Sequence, residues 1–256
     1  MKRARAILSL ALALILVFSL GSSIFAADYP ENTFTDVQRS DWFAEAVDLV
    51  QAHGFMAGVG DNLFAPYGEV TRAMVVTVLY RITAEVEGDP PDVRGLPNPF
   101  WDVTEANRTW YTDAVIWASW HRIAYGVTRS EFDPDTPITR EQMAAMMMRF
   151  FAEVNIGNAD PVTAMEHWDS DGARARQLLS TGAHASDFGI RMYNEPDFRG
   201  YSDAADISDY ALWSVVFCAV LGIMKGDAEG SFRPQATLTR AEFAQIILNF
   251  GNIEFK

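Results

Sequence analysis

The chain has 256 residues, a formal net charge of −14 at pH 7, 49% hydrophobic residues and 12% aromatics. A field of that sign repels DNA, RNA and anionic membrane surfaces, which argues against nucleic acid as a partner; any anionic ligand must be held by specific local cations. Cys218 is the only cysteine, so no intrachain disulfide can form and the chain must bury a true apolar core.

The amino terminus begins with the basic cluster Met1-Lys2-Arg3-Ala4-Arg5, continues with an apolar run from Ala6 to Phe18, and ends in the small, weakly polar Ser19–Ala27. That is the order of a secretory signal. Residues 1–27 are therefore expected to be removed by cleavage near Ala26 or Ala27. Lys2, Arg3 and Arg5 leave with them, which takes the net charge of the remainder from −14 to −17. The alternative is an uncleaved anchor, since Ala6–Ala27 is just long enough to span a bilayer. After cleavage no membrane association is expected.

Residues 28–84 read as two helices joined by a loop. Asp41 is a candidate cap for a first helix whose apolar positions Phe43, Ala46, Val47 and Val50 follow the 3.6-residue period, and Gly54 fits its carboxyl end. The turn-rich Ala57–Asn62 and Leu63-Phe64-Ala65-Pro66 follow. A second helix starts at Thr71 and carries Val75, Val78, Leu79 and Ile82 on one side. The Pro- and Gly-rich segment 85–99 reads as a linker. Residues 100–153 repeat the pair of helices with Ala114–Ala118 and Met143–Phe150, and residues 201–256 repeat it again with Leu212–Val220 and Phe243–Phe250. Cys218, inside that last apolar stretch, reads as a small buried hydrophobe. Between the second and third copies, residues 154–200 match nothing in the repeat. Ala173–Leu179 has the pattern of a short helix, and the sequence leaves open whether the insertion is ordered or a flexible excursion.

The three copies run in register. Sixteen residues after Trp42, Trp110 and Tyr210 come Gly58, Gly126 and Gly226. Eight further on come Pro66, Pro134 and Pro234, each two residues after Phe64, Phe132 or Phe232, and six beyond those come Arg72, Arg140 and Arg240. Upstream lie Asp36, Asp102 and Asp203. A pair of short helices cannot bury its apolar faces alone, so three such units must pack together in an all-α fold.

The threonine before each arginine is a helix cap. Thr239-Arg240-Ala241-Glu242 is a full capping box, Thr139-Arg140-Glu141-Gln142 is its glutamine form, and Thr71-Arg72-Ala73-Met74 keeps only the threonine. The arginine itself stands at the first helical position, where the dipole makes a cation cost about 0.3–1 kcal/mol. A helix start is also an anion site, and a guanidinium beside it adds a two-pronged donor suited to a carboxylate. The alternative is that each arginine pairs with an aspartate of its own or a neighbouring unit.

These residues resemble the S-layer homology (SLH) domain family. The family pattern is matched by Phe34-Thr35-Asp36-Val37, Trp42 and Thr71-Arg72-Ala73. It recurs as Trp101-Asp102-Val103, Trp110 and Ile138-Thr139-Arg140, and as Tyr201-Ser202-Asp203, Tyr210 and Leu238-Thr239-Arg240-Ala241-Glu242. The resemblance implies three SLH modules in a pseudo-threefold arrangement around a central helical bundle. It also implies secretion to the cell wall or S-layer surface, and non-covalent anchoring to secondary cell-wall polysaccharide, often pyruvylated, in grooves between modules. The pyruvate ketal carries the carboxylate that the arginines would take.

Carried across position by position, the implied ligand-binding residues are Arg72, Arg140 and Arg240; Asp36, Asp102 and Asp203; Trp42, Trp110 and Tyr210; and Gly58, Gly126 and Gly226. Each set has a structural alternative: the aspartates as turn formers, the aromatics as core, the glycines as suppliers of positive φ. Met74 and Gln142 replace the family's acid and Tyr210 its tryptophan, so the three grooves are not expected to be equal.

Catalytic and metal motifs are missing from the sequence: it has no H-E-x-x-H, no cysteine-based zinc pattern and no nucleophile elbow. Asp169-Ser170-Asp171-Gly172 echoes a calcium loop without its later ligands. His53 and His121 share their register position with Leu221, which points to packing. No catalysis, cofactor or metal is expected, and the chain ends at Lys256 soon after the third unit. Two rival readings remain. One is an S-layer or envelope assembly protein or adaptor acting through protein contacts, which an exposed apolar patch on the insertion would favour. The other is a wall-active hydrolase using Glu166, His167 or Asp169.

Overall fold

The computed structural model describes residues 29–104, 108–154, 172–188 and 190–253. The expected signal, Met165–Trp168 and the calcium-like Asp169–Asp171 lie outside these residues, as do Glu166, His167 and Asp169 of the hydrolase reading. The described residues form seven α-helices and no sheet: α1 (Ala44–Ala52), α2 (Arg72–Glu87), α3 (Thr112–Trp120), α4 (Arg140–Val154), α5 (Gly172–Thr181), α6 (Leu212–Val220) and α7 (Arg240–Gly251). None is long and apolar enough to cross a membrane.

Helix boundaries follow local chemistry. The Thr71 and Thr239 hydroxyls accept from the backbone N–H three residues on, at 3.4 and 3.3 Å, and at Thr239 the Glu242 carboxylate closes the box on the Thr239 N–H at 2.9 Å. Gln142 does the same for Thr139 at 3.2 Å. At the other end, α1, α3 and α6 stop at His53, His121 and Leu221, and the next residues, Gly54, Arg122 and Gly222, turn left-handed with φ of 65°, 59° and 71°. Asp41 does not cap α1. That helix starts later, at Ala44, and the Asp41 carboxylate instead accepts from the Gln38 N–H at 2.7 Å, within the preceding turn. The linker begins later than its composition suggests, because α2 runs on through Glu87 before Gly88 ends it with φ of 81°.

The modules interlock instead of standing side by side. Each second helix packs against the first helix of the following module: α2 on α3 and α4 on α6, with α7 of the third module returning to α1 of the first. The apolar faces that no single pair could cover are thereby buried in a ring. Phe150 of α4 meets Trp117 of α3 and Phe250 of α7, with ring centroids 6.4 and 5.6 Å apart. Cys218 is wholly buried in α6, its thiol directed at the Ala144 carbonyl of α4 at 3.7 Å, and burial pushes that thiol's pKa up.

The same closure is written in the backbone just ahead of the second helices. The Val70 N–H donates to the Leu238 carbonyl at 2.9 Å, Leu238 to Ile138 at 3.0 Å, and Ile138 back to Val70 at 2.9 Å. All three side chains are fully buried. Three modules are thus tied by one closed circuit of hydrogen bonds, each shielded from water.

The insertion is ordered over its described part. Ala175 and Leu179 of α5 are buried against α6, as the pattern of Ala173–Leu179 anticipates, and the Tyr201 N–H donates to the Leu179 carbonyl at 2.6 Å. Arg176 reaches the Ile207 carbonyl at 3.3 Å and the Asp209 carboxylate at 2.5 Å. Tyr193 is its only large exposed hydrophobic side chain among the described residues, so no apolar patch presents itself there.

Candidate functional site

The three arginines start α2, α4 and α7, and each crosses into the next module. Arg72 Nε donates to the Phe132 carbonyl at 2.9 Å and a terminal nitrogen to Tyr125 at 2.6 Å. Arg140 makes the same pair with Phe232 and Lys225 at 2.7 and 2.8 Å, and Arg240 with Phe64 and Ala57 at 2.7 and 2.6 Å. Each guanidinium lies over the phenylalanine ring whose carbonyl it binds, 4.6–5.0 Å from the centroid. All three are buried, which lowers their pKa from the ordinary value.

A structural use therefore accounts for a cation at the first helical position. The N–H of each arginine and of the residue after it also donate to the neighbouring module, as with Arg140 to Ala236 at 3.0 Å and Glu141 to Pro234 at 3.1 Å. The orphan donors of the helix start, which make it an anion site when free, are already used. The partners are carbonyl oxygens, not the aspartates considered from sequence. Among the described residues, only Arg140 of the three also meets a carboxylate, that of Glu242 at 3.2 Å.

The aspartates hold a loop. Asp36 accepts from the Phe64 and Ala65 N–H groups, both at 2.8 Å; Asp102 takes Phe132 and Asp133, and Asp203 takes Phe232 and Arg233. The second residue of each pair is left-handed without being glycine: Ala65, Asp133 and Arg233 have φ of 56°, 57° and 56°. Such a residue costs about 1–2 kcal/mol, and two charge-assisted hydrogen bonds from one carboxylate offset it. Gly58, Gly126 and Gly226 are not at positive φ. They are glycine because a Cβ would sit 2.6 Å from the Phe34 ring, 2.3 Å from the Glu131 carbonyl, or 2.9 Å from the Tyr201 ring.

The aromatics behave differently. Trp42, Trp110 and Tyr210 are 60%, 58% and 56% exposed, far too open for core residues. Trp42 borders a groove of about 320 Å³ between modules. Module one contributes Trp42 to that groove and module two Arg140; module three supplies Lys225, Gly226, Arg233 and Glu242, with Gln245 and Asn249 on α7. Glu242 bridges two cations, accepting from Arg233 at 2.9 Å as well as from Arg140. The groove thus joins a flat exposed ring to a fixed set of donors. Of the residues singled out from sequence it brings together Trp42, Arg140 and Gly226, and the Asp203 carboxylate holds its Arg233 backbone.

Lys225, Arg233, Gln245 and Asn249 escaped the sequence reading because they do not recur: the matching positions are Ala57, Ala65, Thr77 and Arg81 in module one, and Tyr125, Asp133, Ala145 and Arg149 in module two. Glu141 was also missed. It is buried in α4 and accepts from the Ser208 N–H at 3.0 Å, the Ser208 hydroxyl at 2.8 Å and the Tyr210 hydroxyl at 2.9 Å. Burial and this carboxylate raise the Tyr210 pKa, so its proton stays on Tyr210 and points at Glu141. A lone acid after the helix-starting arginine, in one copy of three, was the available signal. His53 stacks on Phe55 at 5.1 Å and pairs with Glu85 at 2.5 Å, and no group of metal-ligating side chains occurs among the described residues.

The S-layer homology domain profile matches residues 33–73, 99–144 and 200–244, together just over half of the chain. The chain belongs to the S-layer homology domain family. Three SLH modules account for all three copies of the helix pair. Among similar proteins, an endoglucanase from Bacillus sp. (strain KSM-635) is 26% identical over 245 residues, 92% of this chain and 21% of that protein. Cell surface glycoprotein 1 of Acetivibrio thermocellus is 44% identical over 58 residues, covering 23% of this chain and 2% of that one. The surface layer protein of Brevibacillus choshinensis is 39% identical over 68 residues, 26% of this chain and 6% of that one. The chain spans at most about a fifth of the length of the relatives it matches most extensively. At the level of the family, these modules serve cell-wall anchoring on secreted proteins held at the cell surface.

Proposed function

We propose that this SLH protein anchors non-covalently to the cell wall by binding secondary cell-wall polysaccharide in its inter-module grooves, with a pyruvylated sugar as the charged determinant and no chemistry of its own. The groove bordered by Trp42 is the principal site. The observation that carries this reading is the convergence of three modules on that one groove, where an exposed indole shares the lining with Lys225 and Arg233. An aromatic face suits the apolar face of a pyranose, and the cations suit a ketal carboxylate that the protein's overall negative potential would otherwise repel. The endoglucanase likeness supports a shared attachment region, since it covers only a fifth of that enzyme. Protein-mediated envelope assembly is less well supported, because the described insertion packs onto α6 and offers no apolar patch.

The test is sedimentation with purified sacculi before and after mild acid removal of pyruvate ketals. Wild type is expected to pellet with intact sacculi, and ketal removal or Trp42→Ala with Lys225→Ala should leave it in the supernatant. These exposed side chains are the targets because removing a buried arginine would confound binding with unfolding. Wild type remaining soluble with untreated sacculi would refute wall binding.

A further inference from the structure

The first helices of the three modules differ in when their partner is made. α3 packs on α2 and α6 on α4, in each case a helix that precedes it in the chain. α1 instead packs on α7, which follows every other described helix, and no other described helix packs extensively along it. We infer that α1 and the loop 57–68, the first parts of the modules to be made, are the last to fold: they stay open until α7 has been delivered, which acts as a folding checkpoint in an exported chain.

Two sets of contacts carry the inference. Ala46, Val47, Leu49 and Val50 of α1 are fully buried, and without α7 that apolar helix has no helical partner to cover it. The loop depends on α7 as closely. Its Ala57 and Phe64 carbonyls take the Arg240 guanidinium at 2.6 and 2.7 Å, and its Pro66 and Gly68 carbonyls take the Ala241 and Arg240 N–H groups at 2.8 and 2.9 Å. Just beyond the loop, the Val70 N–H finds its acceptor on Leu238.

Ala57 and Arg240 are 183 residues apart. Closing a loop of that length costs chain entropy before any contact offsets it, which delays such contacts relative to local ones. An open array of repeats can start folding at any unit and spread to its neighbours. This ring cannot complete its first unit until the second helix of its third unit is present.

The groove bordered by Trp42 inherits that order. Trp42 stands just ahead of α1 and shares the groove lining with Gln245, Ile246 and Asn249 of α7. A chain caught part-way through export therefore lacks the groove, and wall binding waits for all three modules. This consequence rests on the groove being the wall site; the folding order does not.

The experiment is native-state hydrogen exchange on the chain after signal removal, through a series of low denaturant concentrations. It is read by NMR at Val47, Leu49 and Val50 of α1 and at Phe243, Ile246 and Ile247 of α7. Under native conditions α1 either stands without α7 or does not, and exchange reads which. Both sets of amides are expected to open together, with the same protection and the same dependence on denaturant. Ile247→Val, a mild change to a fully buried side chain, should lower protection about two- to tenfold in α1 as well as in α7. Protection of α1 that persists through an opening of α7, or a drop in Ile247→Val confined to α7, overturns the checkpoint. No polysaccharide enters the measurement, so a failed sedimentation test refutes wall binding and leaves the folding order standing.

Discussion

The inner ring and the rim of the grooves are built on opposite plans. Around the ring, modules agree atom for atom: Val70, Ile138 and Leu238 close one hydrogen-bond circuit, each arginine takes two carbonyls of the next module, and each aspartate holds two N–H groups. At the rim they diverge, with Lys225, Tyr125 and Ala57 at one position and Arg233, Asp133 and Ala65 at another. Repetition within this chain therefore marks the parts that join modules. On the proposed reading, recognition combines an aromatic that repeats, Trp42, with rim cations that do not.

The largest expected effect sharpens the first half of that contrast. Arg140→Ala would strand the Phe232 and Lys225 carbonyls and remove one of the two cations on the Glu242 carboxylate. A loss of about 3–5 kcal/mol is expected in chemical denaturation, as for other broken buried ion pairs. Arg72→Ala should lose less, because its partners are carbonyls alone. Equal losses would mean that the Glu242 pair contributes nothing. Since the ring is closed, each variant should unfold all three modules in one transition; a separate transition for one module would break the interlocked picture.

Next is Asp203→Ala, which leaves the Phe232 and Arg233 N–H groups without their acceptor and Arg233 in a left-handed conformation with nothing to hold it. About 2–3 kcal/mol should be lost. An Arg233→Gly change made in the same background should recover part of it by removing the backbone strain. No recovery would show that the carboxylate matters only through its hydrogen bonds.

Much of this was legible from residues alone. The helix pairs, the threonine caps and the helix in 172–181 followed from period and capping chemistry, and three-unit packing followed from the shortness of the helices. The direction of packing did not, because hydrophobic period tells which face is buried and not which module buries it. The packing role of the arginines was hidden for a related reason. Their partners are main-chain carbonyls about 53 to 183 residues away, and a carbonyl leaves no trace in a sequence. Trp42, Trp110 and Tyr210 could have been core or surface on pattern alone. Only the fold exposes them, and only the fold sets Lys225 and Arg233 beside Trp42.

A smaller effect compares the caps within the ring. Thr239→Ala removes a cap that works with Glu242 in both directions and should cost about 1 kcal/mol. Thr71→Ala should cost less, since Met74 gives nothing back and its N–H lies at 3.4 Å. The difference is measurable by thermal unfolding, and a reversed order would mean that the reciprocal bond from Glu242 is not felt.

The smallest stability effect tests the rim most sharply. Lys225 contributes two separate things: its carbonyl accepts the Arg140 guanidinium at 2.8 Å, and its exposed side chain borders the groove. Lys225→Ala keeps the first and deletes the second. Stability should change by no more than about 0.5 kcal/mol, as for other surface substitutions. Wall binding should weaken severalfold, and the deficit should shrink as salt rises, because an exposed ammonium acts on a bound carboxylate through a field that salt screens within about 8–10 Å near physiological ionic strength. A deficit that salt leaves unchanged would assign Lys225 to shape instead of charge. No deficit at all would place the recognised carboxylate away from Lys225.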